Sequence, residues 1–243
     1  MPFGFSVTSL HLCVLCVSIQ ARSMINGVQF KVCGLTSLAD AEFAGRSGAD
    51  YLGFILHPSS PRSVTLAQFG AMQGRLPPRK KVAVGVTPTV AELQSFAAAG
   101  ADFLQIHFPY DTPLETLRAW SQAVGPNKLW LAPRLPPHLD VATAWLPLAE
   151  TFLLDTFHAE KFGGTGQTGD WEKFARHQQA HPQKAWILSG GLNPENIGEA
   201  LRQSGARFVD VNSGVESAPG VKDHAKIKLF FAALQSASLQ KKS

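Results

Sequence analysis

The sequence predicts a single-domain (β/α)8 barrel with a short N-terminal extension. Three observations carry this: eight short apolar or β-branched runs recur from residue 28 onward, stretches with helical spacing lie between them, and several of those stretches end at glycine just before the next run. In order, the runs are VQFKV (28–32), DYLGFIL (50–56), KVAVGV (81–86), DFLQI (102–106), KLWLA (128–132), TFLLD (151–155), AWILS (185–189) and FVDV (208–211). They read as buried strands. Helical spacing marks 38–48, 89–100, 114–120, 170–179, 194–205 and 222–235, several of which open on a capping residue or a proline. AGRSGADYLGF, FAAAGADFLQI and RQSGARFVDV repeat one plan, a helix closed by glycine with a strand following within a few residues. An open doubly wound sheet is the alternative. Its nucleotide fingerprint G-x-G-x-x-G is missing, because the turn after the first strand reads CGLTSL.

Composition narrows the function classes. With 243 residues, 45% of them hydrophobic and 16% charged, the chain can bury one large core, and disorder is excluded for most of it. The formal charge of +4 comes from scattered lysines and arginines, clustered only at 79–81 and 241–242. Without a recognition helix or zinc-finger spacing, that charge predicts no nucleic-acid partner. Three cysteines make no disulfide framework, which points to a reducing cytoplasm. Residues 1–27 stand outside the strand and helix rhythm and are expected to be a poorly ordered extension or an over-long start. Their apolar stretch LHLCVLCV (10–17) is too short to span a bilayer and lacks the basic flank of a signal peptide. His11, Cys13 and Cys16 lack the second ligand pair that a zinc site needs, so no metal is expected.

In a barrel the chemistry lies just beyond the strand ends. Cys33 and Gly34 follow the first run, His57 to Arg62 the second, Thr87 and Pro88 the third, His107 and Phe108 the fourth, and Arg134 the fifth. Asp155 closes the sixth, ahead of KFGGTGQTGDW; Gly190 and Gly191 follow the seventh, and Asn212, Ser213 and Gly214 the eighth. Glycine-rich loops at the seventh and eighth positions let backbone N–H groups approach an anion, so Gly190, Gly191, Ser213 and Gly214 are the expected phosphate seat.

The chain resembles the phosphoribosylanthranilate isomerase family of tryptophan biosynthesis. The resemblance rests on KVCGLT (31–36), GADYLGFILHPSSPRSV (48–64), LQIH (104–107), LLDTF with KFGGTGQTGDW (153–171), ILSGGLNPENI and VDVNSGVESAPGVKD (187–223), and covers residues 28 to 237. It implies a cofactor-free Amadori rearrangement of a phosphorylated aminoribose carrying anthranilate, in a monomer or homodimer with no membrane association. It also implies that Cys33 is the general base and Asp155 the general acid, and that Lys31, Arg62, His107, Gly163, Gly164 and Thr165 contact substrate. The residue types suit the chemistry: a carboxyl group can protonate the ring oxygen, and a thiolate can take the sugar C2 proton. Beside Lys31, the Cys33 thiol is expected to ionise more readily than usual. Arg62 suits either the anthranilate carboxylate or an anchoring role in its loop. Asp170 is the expected cap of the sixth helix, and Trp171 is expected to pack on the barrel wall.

The chain departs from the family pattern in three places. VGVTP (84–88) stands where the family shows an aromatic and an asparagine, Phe108 replaces a glycine and is expected to narrow the mouth or stack on the substrate ring, and LAPRL (131–135) is unusual. A histidine-pathway isomerase, an indoleglycerol-phosphate synthase and a non-catalytic phosphate-binding barrel are the competing readings. Cys33 argues against the first and the intact Cys33 and Asp155 pair against the last, while the synthase relies on lysine and glutamate chemistry.

Overall fold

A computed structural model describes residues 27–155 and 170–237. Eight parallel strands close into a barrel in sequence order: β1 (Gln29–Val32), β2 (Tyr51–Ile55), β3 (Lys80–Val86), β4 (Phe103–Pro109), β5 (Leu129–Arg134), β6 (Thr151–Asp155), β7 (Ala185–Ser189) and β8 (Phe208–Val211). The closure is made by β1 against β8, where Lys31 pairs with Asp210. A closed ring leaves no sheet edge and excludes the open doubly wound alternative. The expected extension, apart from Gly27, lies outside the described residues, as does the segment 156–169.

Seven α-helices wrap the described part of the barrel: α1 (Leu38–Arg46), α2 (Leu66–Met72), α3 (Val90–Ala98), α4 (Leu114–Val124), α5 (Trp171–Ala180), α6 (Ile197–Ser204) and α7 (His224–Ser236). Their starts have local causes. Thr65 and Thr89 form capping boxes with Gln68 and Glu92. Asp170 accepts from the Lys173 amide at 2.7 Å, as its sequence position predicts, and Trp171 is buried. After β5 the expected alternation breaks. A 3-10 segment, Thr143–Leu148, takes the place of an α-helix, and Pro147 within it cannot donate to a helical ladder. A short antiparallel hairpin, β9 (Glu216–Ala218) with β10 (Val221–Lys222), follows β8 and was not visible as a strand pattern.

Period-2 alternation sorts each strand into an outer and an inner face. The outer face, with Phe30, Val32, Leu52, Phe54, Leu104, Ile106, Leu129, Leu131, Phe152, Leu188 and Val209, packs under the helices as one buried cluster. A second cluster fills the lumen with Tyr51, Val82, Val84, Trp130, Leu153, Ile187 and Phe208, and includes Cys33. Its lower end is an aromatic plug: Tyr51 lies 4.8 Å from Phe208 and 5.2 Å from Trp130 by ring centroids, and Phe103 stacks on Trp130 at 5.0 Å.

The same alternation corrects the expectation about Phe108 and places Gly85. His107 faces inward, so Phe108 faces outward; it is fully buried against Trp120 and Trp145, with ring centroids 5.8 and 5.5 Å away. It neither narrows the mouth nor reaches a substrate ring. Gly85 also lies on the outer face, and a Cβ there would stand 3.1 Å from Phe96 of α3. A side chain at this position faces the helix layer rather than the mouth. Thr87, at the end of β3, holds φ +40, in the left-handed region that a β-branched residue rarely adopts.

Candidate active site

Cys33, Asp155, Gln105, His107, Asp210 and the 189–192 and 212–213 segments line one cavity of about 220 Å³ at the C-terminal end of the barrel. The thiol and the carboxyl group, 122 positions apart in the chain, thus share one enclosure. Cys33 sits just past β1 and is 4% exposed, while Asp155 ends β6 at the open rim. Both lie on the inner face because each is an even number of residues from a lumen side chain of its own strand, Lys31 and Leu153.

Beneath the thiol lies a buried ion pair. Lys31 Nζ donates to Asp210 Oδ1 at 3.0 Å and Oδ2 at 2.9 Å, and neither side chain is more than 5% exposed. The lysine ends inside the lumen rather than at the surface of the mouth. Burial opposes its charge, but Asp210 and the hydrogen-bonded Cys33 outweigh that and hold its pKa above the ordinary value. Room for this arrangement comes from Gly53 on β2: a Cβ there would stand 2.8 Å from Lys31 Cε and 3.0 Å from Cys33 Sγ.

The Cys33 thiol does not follow the expectation of easy ionisation. Burial pushes its pKa up, Lys31 pulls it down, Asp210 pushes it up again, and the net direction is upward. The sequence argument counted the neighbouring cation but not the desolvation, nor the carboxylate that already engages that cation.

Loop positions around the rim are tied by a second charge network. Arg62 donates through Nε and Nη2 to both oxygens of Glu216, at 2.7 to 3.0 Å. Lys222, its side chain fully buried, donates to Glu216 Oε1 at 2.9 Å and to Asn212 Oδ1 at 2.9 Å. Burial raises the Glu216 carboxyl, but its bonds from Arg62 and Lys222 win and hold it below the usual range. The β9–β10 hairpin therefore clamps the loop after β2 onto the loop after β8, and the guanidinium of Arg62 is already engaged within it. The two loops of the expected phosphate seat meet closely, since a Cβ on Gly214 would collide with the Leu192 carbonyl. Gly190, Gly191 and Ser213 line or border that corner of the cavity. Gly163, Gly164 and Thr165 lie outside the described residues. Among the described residues no group of three or more His, Cys, Asp or Glu side chains is placed to hold a metal ion, and no helix is long and apolar enough to cross a membrane.

Residues 30–233 match the family model of N-(5'-phosphoribosyl)anthranilate (PRA) isomerase. The chain belongs to this family. It is 41% identical to the N-(5'-phosphoribosyl)anthranilate isomerase of Magnetococcus marinus, over 86% of this chain and 96% of that one. With the Synechococcus elongatus isomerase it shares 37% identity, over 88% of this chain and the whole of its relative. Among solved structures, phosphoribosylanthranilate isomerase from Thermotoga maritima superposes with a TM-score of 0.71 at 32% identity, covering 85% of this chain and 98% of that one. Another isomerase structure, in complex with reduced 1-(o-carboxyphenylamino)-1-deoxyribulose 5-phosphate, gives 0.66 at 30% identity, covering 85% and 98%. Membership sets aside the histidine-pathway, synthase and non-catalytic readings.

Four residues of the site went unnoticed in the sequence: Gln105, Asp210, Glu216 and Lys222. A signal existed for the first two. Each interrupts an apolar strand run two positions before a rim residue, Gln105 before His107 and Asp210 before Asn212, which places it on the lumen side. Glu216 and Lys222 had none, because their partnership depends on the hairpin.

Proposed function

We propose that this chain isomerises N-(5'-phosphoribosyl)anthranilate to 1-(2-carboxyphenylamino)-1-deoxyribulose 5-phosphate, with Asp155 as general acid and Cys33 as general base. The observation that carries the reading is the shared cavity of these two groups, with the glycine-rich loops after β7 and β8 at its side. Asp155 gives a proton to the ring oxygen as the C1–O bond breaks, and the aminal nitrogen's lone pair forms the C1=N bond of an open-chain iminium. Cys33 then takes the C2 proton, the electron pair moves into C1=C2, and the enaminol tautomerises to the ketone by protonation at C1. A thiol of raised pKa is a strong base once ionised but is scarce as thiolate at neutral pH. The iminium supplies the missing term. Its positive charge next to C2 favours the thiolate at the moment the base is needed, and Lys31 favours it throughout.

The phosphate rests on the backbone of Gly190, Gly191, Ser213 and Gly214. Lys31 sets the charge under the thiol, His107 contacts the sugar, Gly163, Gly164 and Thr165 bind substrate, and Arg62 meets the anthranilate carboxylate from its clamp on Glu216. The free, buried Cys33 fits the cytoplasm as the site of action, and the assembly is a monomer or homodimer. The test is the decay of substrate fluorescence with purified protein and no added metal. Cys33→Ala and Asp155→Asn each lose about 10²–10⁴-fold in turnover while circular dichroism stays parental. Variants that keep the parental rate would overturn both assignments.

A further inference from the structure

Gln105 is the least economical side chain in the lumen. It is 1% exposed on β4, its Oε1 has no hydrogen-bond partner, and its amide nitrogen lies 2.9 Å from His107 Nε2. A methionine or leucine would fill the same space without leaving an acceptor desolvated and unpaired, so packing alone gives no reason for an amide here. The contact to His107 does. With its amide nitrogen turned to the ring, Gln105 has hydrogens to give and no lone pair there to receive one, so in this arrangement His107 Nε2 is the acceptor and the ring carries its proton on Nδ1.

Charge around the ring agrees with that assignment. His107 faces Lys31 from β1 and Arg134 from β5, and the same cavity holds Cys33, Asp155 and Asp210. Burial first, then the two cations, bring its pKa from the ordinary 6.5 to about 4. A protonated ring would also set one N–H against the Gln105 N–H. The imidazole is therefore built to stay neutral, with one fixed donor.

We infer that Gln105 is a positioning residue that holds His107 in the neutral Nδ1–H form, so that His107 serves as a fixed hydrogen-bond donor to a sugar oxygen of the substrate and exchanges no proton. The second half of this inference rests on the isomerase reading above; the first half does not. A neutral donor polarises or orients an oxygen without delivering a proton, which keeps the acid and base roles with Asp155 and Cys33.

The experiment is long-range ¹H–¹⁵N correlation on the full, ¹⁵N-labelled chain between pH 4 and 9, with His107→Asn to assign the ring. The expected spectrum shows Nδ1 protonated, Nε2 bare, and no titration above about pH 5. An Nε2–H tautomer, or titration near 6.5, overturns the inference. Gln105→Glu replaces the donor by an acceptor: it draws the proton to Nε2, raises the His107 pKa, and raises KM by about ten-fold or more through the lost donor, with the limb of the pH–rate profile set by Cys33 in place. A ring whose tautomer and pKa stay parental in Gln105→Glu also overturns it. Should Gln105→Glu not fold, the parental spectrum decides alone. If the parent gives the expected spectrum yet fails to turn over substrate, the isomerase reading falls while the tautomer assignment stands.

Discussion

The two ends of one lumen are built on opposite terms. At the lower end, Tyr51, Phe103, Trp130 and Phe208 close the barrel with ring contacts of 4.8–5.8 Å. At the upper end stand Gln105 and His107, two and four residues beyond Phe103 on β4, Asp210, two beyond Phe208 on β8, and Lys31 and Cys33 on the neighbouring β1. Burying an aromatic side chain is favourable by about 1.5–3 kcal/mol, whereas each buried ion costs several kcal/mol before its partner offsets it. The plug thus supplies stability that the upper layer withdraws, and the withdrawal is where the reactive groups are. The difference teaches that position along a barrel strand separates folding from chemistry within a single row of side chains.

The sharpest way to break this contrast is Lys31→Met. It leaves Asp210 buried without its cation and is expected to destabilise the fold by about 3–5 kcal/mol in denaturant unfolding. Adding Asp210→Asn recovers part of the loss, since the uncompensated charge goes with it. Because Lys31 lowers the thiol's pKa, its removal raises that pKa further and shifts the Cys33 limb of the pH–rate profile to higher pH. An unmoved profile would separate the ion pair from the base. Phe208→Ala tests the lower end: a cost of about 3–5 kcal/mol with kcat unchanged wherever the protein remains folded. A large fall in kcat at full folding would show that the plug reaches the chemistry.

Smaller effects sharpen the comparison further. The folded pKa of His107 lies below its unfolded value of 6.5, so the unfolded chain binds the proton first as pH falls. The stability tied to this group is present above pH 6.5 and is lost between 6.5 and about 4; His107→Asn flattens the melting temperature across that window. A slope unchanged by the substitution would place the acid sensitivity elsewhere. The smallest effect belongs to the rim, where Thr87→Asn relieves a left-handed backbone and is expected to raise stability by about 1 kcal/mol. No gain in melting temperature would mean that the strain is absorbed locally.

Particular residues show how far the sequence could be read. The eight runs, the capping residue Asp170 and the strand-end position of Cys33 and Asp155 were legible, because each depends on neighbours within a few positions. Phe108 was misplaced for want of one parity argument: inward His107 forces its successor outward. The helix expected after β5 gave way to a 3-10 turn around Pro147. The reversed pKa direction at Cys33 came from burial, which no count of neighbouring charges reports.

The sequence by itself determined the barrel, the family and the presence of a thiol and a carboxyl group at strand ends, since periodicity and local motifs are properties of short segments. Only the tertiary structure decided which distant groups meet: Lys31 with Asp210 inside the lumen and Arg62 with Glu216 at the rim. The physical reason is that burial and electrostatic pairing depend on distance in space, and barrel closure brings together residues as many as 184 positions apart.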